Sequence, residues 1–389
     1  MFKKQKCIYC FREKPQEEFS LEHIFPDALG GNLCGTTFEI NRVCKRCNTL
    51  CGLFVDGVFL KSWFAQNYNF ESALLYADLE KGSPIPLIYG GILEELSSKT
   101  EVCEYWMGPC GEHIYYFHKK DDEYFNSYVK GDPIKRQKQD KGYAIIFGTT
   151  KNPFWNKITL LSFKKQFKNA KRYSGNFYLN KEAQQYFFHE PSEDIRRLIE
   201  NIKKITNKEK KLKVICKEDM DNRFLCKIAL GFGFKFLGEE YLNTPYAKEL
   251  QKALWEPNFS KRKQYKIRGS GFFKSIDNLQ LNHFLAWEGG HVILFKITPI
   301  GLSVSLFLFG KLSGHVLISD DHKLIKNSFL SNFKEGCLYI LIPQRNICHG
   351  PIDLLDYLAH RLSGHNKLKE LEEIESLKND LSKLPSCHE

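Results

Sequence analysis

The amino-acid sequence predicts a protein of the α+β class, and three observations carry that prediction. Two closely spaced cysteine pairs, Cys7-x-x-Cys10 and Cys44-x-x-Cys47, stand near the N-terminus on either side of the stretch SLEHIFPDALGGN. Short aromatic and β-branched runs separated by turn clusters fill residues 101–180 (VCEYWMG, HIYYFHK, GYAIIFGTT, KITLLSF) and return over 283–342, as antiparallel strands do. Between them, residues 181–255 carry apolar side chains at helical spacing. The chain has 389 residues, of which 42% are hydrophobic, enough for a large core. At about 100–200 residues per domain, two or three domains are expected. We expect a small unit over residues 1–62, an α+β domain over 63–260, and a β-rich segment over 261–389, either separate or continuous with the domain before it.

In chain order, the cysteine pairs come first. One CxxC turn presents two sulfurs to a single ion, and two such turns complete a tetrahedral four-cysteine site. Cys7, Cys10, Cys44 and Cys47 therefore predict a structural zinc ion, which would supply much of the folding energy of so small a unit. Cys34 and Cys51 are left over as spares. With 13 cysteines, an odd number, the composition argues against a secreted disulfide framework and for a reducing compartment. Residues 63–100 read as mostly helical before the prolines and glycines of GSPIPLIYGG. KEAQQYFFHEPSEDIRRLIENIKKIT and DNRFLCKIALGFGFKFLGEEYL read as helices, and KRKQYKIRGSG as a basic loop. Gly301–Gly310 is the longest apolar run, far short of the roughly 20 residues a membrane helix needs, and reads as a buried strand. Leucines and an isoleucine three or four apart, from Leu368 to Leu384, predict an amphipathic helix over 366–384, either docked on its own domain or forming a homodimer seam.

The formal charge of +11 and a pI near 8.9 favour a polyanionic partner. The N-terminal MFKKQKCIYC has no apolar core of signal-peptide length, so a cytoplasmic protein with no membrane part is expected.

The order CIYC…EHIFPDALGG…NRVCKRCNTLCG resembles an HNH endonuclease domain, subfamily five in particular, over roughly residues 7–60. The resemblance implies a ββα-metal fold whose hairpin and helix are tied by the CxxC–CxxC zinc. It implies hydrolysis of phosphodiester bonds in DNA, by default double-stranded, with Mg²⁺ or Mn²⁺ as catalytic cofactor. His23 matches the general base, and Glu22 the acid before it, which would ligate the divalent ion. Asn48 matches the last position of the pattern and would offer its amide oxygen to the same ion; it stands where the pattern's name has a histidine. Asn41 matches the central Asn, which fixes the loop by hydrogen bonds. Successive side chains on a strand face opposite ways, so Glu22 and His23 share a face only if the strand ends or bends there, as Pro26 and Gly30-Gly31 would allow. Arg42, Lys45 and Arg46 flank the second CxxC and would grip phosphates. Asp56, two helical turns beyond Asn48, reads as a helix-end carboxylate.

No other motif in the chain carries assignable chemistry. The body after residue 62 would position substrate or hold the nuclease inactive until a small-molecule or protein activator arrives, as bacterial defence nucleases are often built. The competing reading is a zinc-dependent nucleic-acid-binding protein without cleavage activity.

Overall fold

Two tight reversals open the chain. β1 (Lys4–Lys6) and β2 (Glu13–Pro15) pair antiparallel with Lys6 opposite Glu13. The CIYC turn between them closes on its own backbone: Phe11 N–H donates to the Cys7 carbonyl at 2.8 Å and Cys7 N–H to that of Arg12 at 3.0 Å. β3 (Phe19–His23) and β4 (Glu39–Cys44) form a second hairpin, in register from Phe19 opposite Cys44 to His23 opposite Glu39, with a bulge past Ser20. α1 (Lys45–Cys51) starts where β4 ends, continues through a wider π-type turn over Gly52–Asp56, and finishes in α2 (Gly57–Leu60). This is the strand–strand–helix order expected for residues 1–62.

The computed structural model describes residues 4–119, 142–148, 150–177, 179–205, 209–214, 218–256, 258–270, 272, 283–362 and 367–387. They fall into two units. The first takes in the described parts of residues 1–61 and 217–378, and the second those of 62–125, 134–216 and 379–389.

In the first unit, the ββα segment is followed by α3 (Glu218–Leu237) and α4 (Pro245–Trp255), the latter capped by Thr244, whose hydroxyl accepts from Ala247 N–H. A six-stranded antiparallel sheet completes the unit: β5 (Gly269–Ser270), β6 (His291–Thr298), β7 (Gly301–Leu308), β8 (Leu312–Ser319), β9 (Cys337–Ile342) and β10 (Ile347–Asp353), in the spatial order β5-β8-β7-β6-β9-β10. The apolar run read as a buried strand is β7. α3 packs on β8. Its Phe232 lies edge-on to Phe295 of β6 at 4.8 Å, and to Phe38 of the β3–β4 loop at 5.0 Å. α5 (Leu354–Leu362) and α6 (Lys369–Ser376) follow the sheet.

The second unit is also a six-stranded sheet. Strands Ile88–Leu93, Glu101–Met107, His113–Lys119 and Tyr143–Phe147 are antiparallel neighbours, Leu212–Lys213 adds one edge, and Lys171–Ser174 adds the other in parallel. Helix Pro153–Gln166 connects the parallel pair, and its Leu160 and Phe163 pack with Trp106, Ile114 and Ile146 of the sheet. Alternate residues of the same strands, Tyr105, Tyr115 and Ile145, pack with Ile199 and Ile202 of helix Glu193–Ile205. The sheet is therefore covered on both faces.

Four expectations change. KITLLSF, read as a strand, is the middle of helix Pro153–Gln166, because Asn152 caps the segment, accepting from Phe154 N–H at 3.0 Å, and Pro153 opens its first turn. The helix read over 181–206 is two helices, Lys181–Phe187 and Glu193–Ile205, because His189-Glu190-Pro191 interrupts it. The tail helix is shorter than its leucine spacing suggests. Only Lys369–Ser376 is α-helical, Leu371 and Ile374 are fully buried, and a single turn at Leu381–Lys383 follows; Asn366 itself lies outside the described residues. Finally, Cys34 is not a spare. It is disulfide-bonded to Cys348 in the first unit, and Cys110 to Cys387 in the second. Both bridges close loops far too long in sequence for spacing to suggest a partner. No described helix is long and apolar enough to cross a membrane.

Candidate active site and metal centre

The Sγ atoms of Cys7, Cys10, Cys44 and Cys47 lie within 4.8 Å of one another. A tetrahedral zinc with Zn–S bonds of about 2.3 Å needs sulfurs about 3.8 Å apart. The donor set and the crowding both fit a structural zinc ion. Cys7, Cys44 and Cys47 are buried, and Cys44 N–H donates to Cys7 Sγ at 3.3 Å, a typical second contact for a metal-bound thiolate. Hydrogen bonding among the four sulfurs holds the Cys44 thiol below its ordinary range and pushes those of Cys7 and Cys47 above it. Cys51 is buried and free, as packing rather than ligation predicts.

The hairpin tied by this cluster carries His23 at the end of β3. The segment EHIFPDALGG now has a physical account. Ile24 and Phe25 are fully buried, Ile24 against Gly231 of α3 and Phe25 edge-on to His291 of β6. Pro26 starts a short 3-10 turn over Asp27–Leu29 that ends on Gly30 at φ 86°. Gly31 is required because a Cβ there would lie 1.7 Å from the Phe25 carbonyl oxygen. The turn returns Asp27 to the imidazole, with Asp27 Oδ1 2.8 Å from His23 Nδ1. On the other side, Glu39 Oε1 lies 3.3 Å from Nε2. Neither carboxylate was singled out in the sequence, although the i,i+4 spacing of His23 and Asp27 was there to read.

Glu22 occupies the opposite face of β3. It is 4% exposed and does not join His23. Its Oε1 accepts from Lys227 Nζ at 2.8 Å and from Tyr9 Oη at 3.1 Å. Lys227, from the middle of α3, also donates to Asp56 Oδ2 at 2.8 Å and to the carbonyls of His23 and Ile24 at 3.3 and 3.2 Å. Burial pulls the Lys227 ammonium toward neutrality, but Asp56 and Glu22 more than offset it and its pKa rises above that of ordinary lysine. Burial pushes Asp56 up to about 6 despite that ammonium. Sequence reasoning missed Lys227; the signal was a single charge inside the apolar run FLCKIALGF.

The remaining expected residues are spread around the hairpin. Asn48, on α1, directs its amide nitrogen to Ser20 Oγ at 3.1 Å and the Leu21 carbonyl at 2.8 Å, bridging helix to β3. Asn41 is exposed, on the strand opposite the bulge. Lys45 and Arg46 are exposed at the start of α1. Arg42 is ion-paired with Glu239 and lies over the Phe234 ring at 5.1 Å.

A zinc-tied ββα unit with a histidine at the end of its first long strand defines the class: a ββα-metal domain. Residues 7–64 match the family model of the HNH endonucleases, and that segment is an HNH endonuclease domain. No curated protein and no solved structure matches the chain.

Proposed function

We propose that the chain is a divalent-metal-dependent endonuclease that hydrolyses phosphodiester bonds in double-stranded DNA, with His23 as general base. The observation that carries this reading is Asp27 at 2.8 Å from His23 Nδ1, inside the segment that matches the HNH family. A ring that donates Nδ1–H to Asp27 keeps its Nε2 lone pair for a water proton. Once Nε2 is protonated, Glu39 stands ready to accept its hydrogen bond. The hydroxide so formed attacks phosphorus, and the bond to the departing sugar oxygen breaks. A bound Mg²⁺ or Mn²⁺ would stabilise the charge that builds on the phosphate and on that oxygen. Asn48 would hold the ion through its amide oxygen, its amide nitrogen being engaged by β3. Asn41 would keep the β4 side of the hairpin in place. Lys45 and Arg46 would meet phosphates directly, and Arg42 would do so only on leaving Glu239.

The body after residue 62, by the same reading, restrains the nuclease or positions its substrate, in a defence role that needs an activator. Incubating plasmid with the protein in Mg²⁺, Mn²⁺ or EDTA, beside His23→Ala, tests the assignment. Nicking that requires both metal and His23 supports it. Retardation without cleavage in every condition supports the second reading, a nucleic-acid-binding protein, which the pairing of Glu22 with Lys227 favours. Complete cleavage by the purified protein in Mg²⁺ alone would count against restraint.

A further inference from the structure

α3 meets the catalytic hairpin along one stripe. Lys227, Gly231 and Lys235 are spaced i, i+4, i+8 and so lie on one helix face. Lys227 donates to the carbonyls of His23 and Ile24, where β3 ends. Gly231 leaves the space that Ile24 fills, since a Cβ there would lie 2.5 Å from Ile24 Cγ2. Lys235 donates to the carbonyls of Thr36 at 2.5 Å and Glu39 at 3.2 Å, where β4 begins. The helix therefore grips both ends of the loop that runs from His23 to Glu39 and carries Asp27.

Lys227 is the central contact. Its ammonium is fully buried and its acceptors are all oxygens: two carboxylates and two carbonyls, at 2.8–3.3 Å. That is the ligand chemistry a hard cation would take at this spot. A buried carboxylate needs a counter-charge, and Glu22 already has one. A dication on Glu22 would have to share a water-excluded pocket with the ammonium. The imidazole of His23, by contrast, projects from the other face of β3.

We propose that Lys227 is the resident cation of the nuclease hairpin: Glu22 and Asp56 are positioning residues that hold its ammonium, and through it the end of β3 and His23, while the catalytic divalent ion is bound without Glu22. The proposal rests on the nuclease reading for its catalytic consequence, but not for its metal-binding consequence.

The test uses the full chain loaded with zinc. Mn²⁺ binding is followed by electron paramagnetic resonance for wild type, Glu22→Gln and Asn48→Ala. The proposal expects Glu22→Gln to change the Mn²⁺ dissociation constant by no more than about two-fold, whereas Asn48→Ala weakens it about ten-fold or more. A loss of about ten-fold or more with Glu22→Gln would make Glu22 a ligand and overturn the proposal. Lys227→Met alone would strand two buried carboxylates and risks unfolding, so the charge-free triple variant Glu22→Gln/Asp56→Asn/Lys227→Met carries the kinetic arm. Its kcat for plasmid nicking should fall by about ten-fold to a hundred-fold, with KM for DNA and zinc content unchanged, because the buried ammonium touches no substrate. A folded, zinc-loaded triple variant with wild-type kcat would overturn the positioning role. If wild type binds Mn²⁺ but nicks nothing, the nuclease reading fails, and the Mn²⁺ comparison still decides whether Glu22 is a ligand.

Discussion

His23 sits between two carboxylates of unequal geometry, and the inequality assigns their parts. Asp27 lies 2.8 Å from Nδ1 and is delivered by the short turn after Pro26, whereas Glu39 lies 3.3 Å from Nε2 on the neighbouring strand. On the nuclease reading, Asp27 would orient the ring and Glu39 would give way when water and phosphate arrive. Asp27→Asn should lower kcat for nicking by about ten-fold while leaving KM for DNA near wild type, as expected for loss of the group that fixes a base's tautomer and orientation. Steady-state nicking against DNA concentration reads this directly, and an unchanged kcat would remove Asp27 from the mechanism. The histidine was legible in the sequence because an acid, a histidine and a glycine turn stand between two metal-binding pairs. Its neighbour Asp27 was legible only as an i,i+4 spacing, and Glu39 was not legible, because it reaches the ring only through the β3–β4 register.

At the scale of the element, α3 shows why a helix this apolar contains two lysines and two glycines. Gly231 is the contact point for Ile24, and Gly233 lies against the Tyr241 ring, where a Cβ would approach within 2.2 Å. Gly231→Ala should destabilise the protein by about 1–3 kcal/mol, as overpacking of a tight contact does, seen as a lower urea midpoint with little change in slope. Wild-type stability in that variant would mean that Ile24 and α3 do not approach as described. β6 makes a second prediction. His291 is fully buried between Phe25 and Phe309 and its Nδ1 accepts from Phe309 N–H at 3.1 Å. Burial lowers its pKa from 6.5 to about 3. Below pH 6.5 the unfolded chain takes up a proton that the folded one refuses, so this contribution to stability is complete above pH 6.5 and is lost as pH falls toward 3. His291→Asn, whose amide oxygen can replace Nδ1 as acceptor, should flatten the decline in urea stability between those pH values. A variant as acid-sensitive as wild type would place the responsible proton elsewhere.

At the largest scale, the four-cysteine cluster and helices α3 and α4 share the work of holding the hairpin that carries His23. Tyr9, between the first two cysteines, donates to Glu22 and accepts through its carbonyl from Trp255 Nε1 at 2.6 Å, so the knuckle is joined to the charge cluster and to α4. Stripping zinc with a thiol-competitive chelator should therefore abolish nicking in excess Mg²⁺ and expose the four thiols to a chromogenic thiol reagent, with zinc, not Mg²⁺, restoring both. Retained nicking in the zinc-free protein would separate the cluster from the hairpin.

The four cysteines were readable because their spacing is local, and most of the strands because alternation is local; KITLLSF is helical because Asn152 and Pro153 start a helix just before it. Lys227, the Cys34–Cys348 bridge and the shortened tail helix were not. The first two depend on contacts between distant parts of the chain, and the leucine spacing persists beyond the point where α6 stops.

The central claim is that His23 is the base of a metal-dependent phosphodiesterase, and single-turnover nicking of supercoiled plasmid by zinc-loaded wild type and His23→Ala, with and without Mn²⁺, tests it most directly. The account predicts Mn²⁺-dependent nicking that His23→Ala slows by about a hundred-fold or more. Equal rates for the two proteins, or wild-type DNA binding with no nicking at any Mn²⁺ concentration, would contradict it.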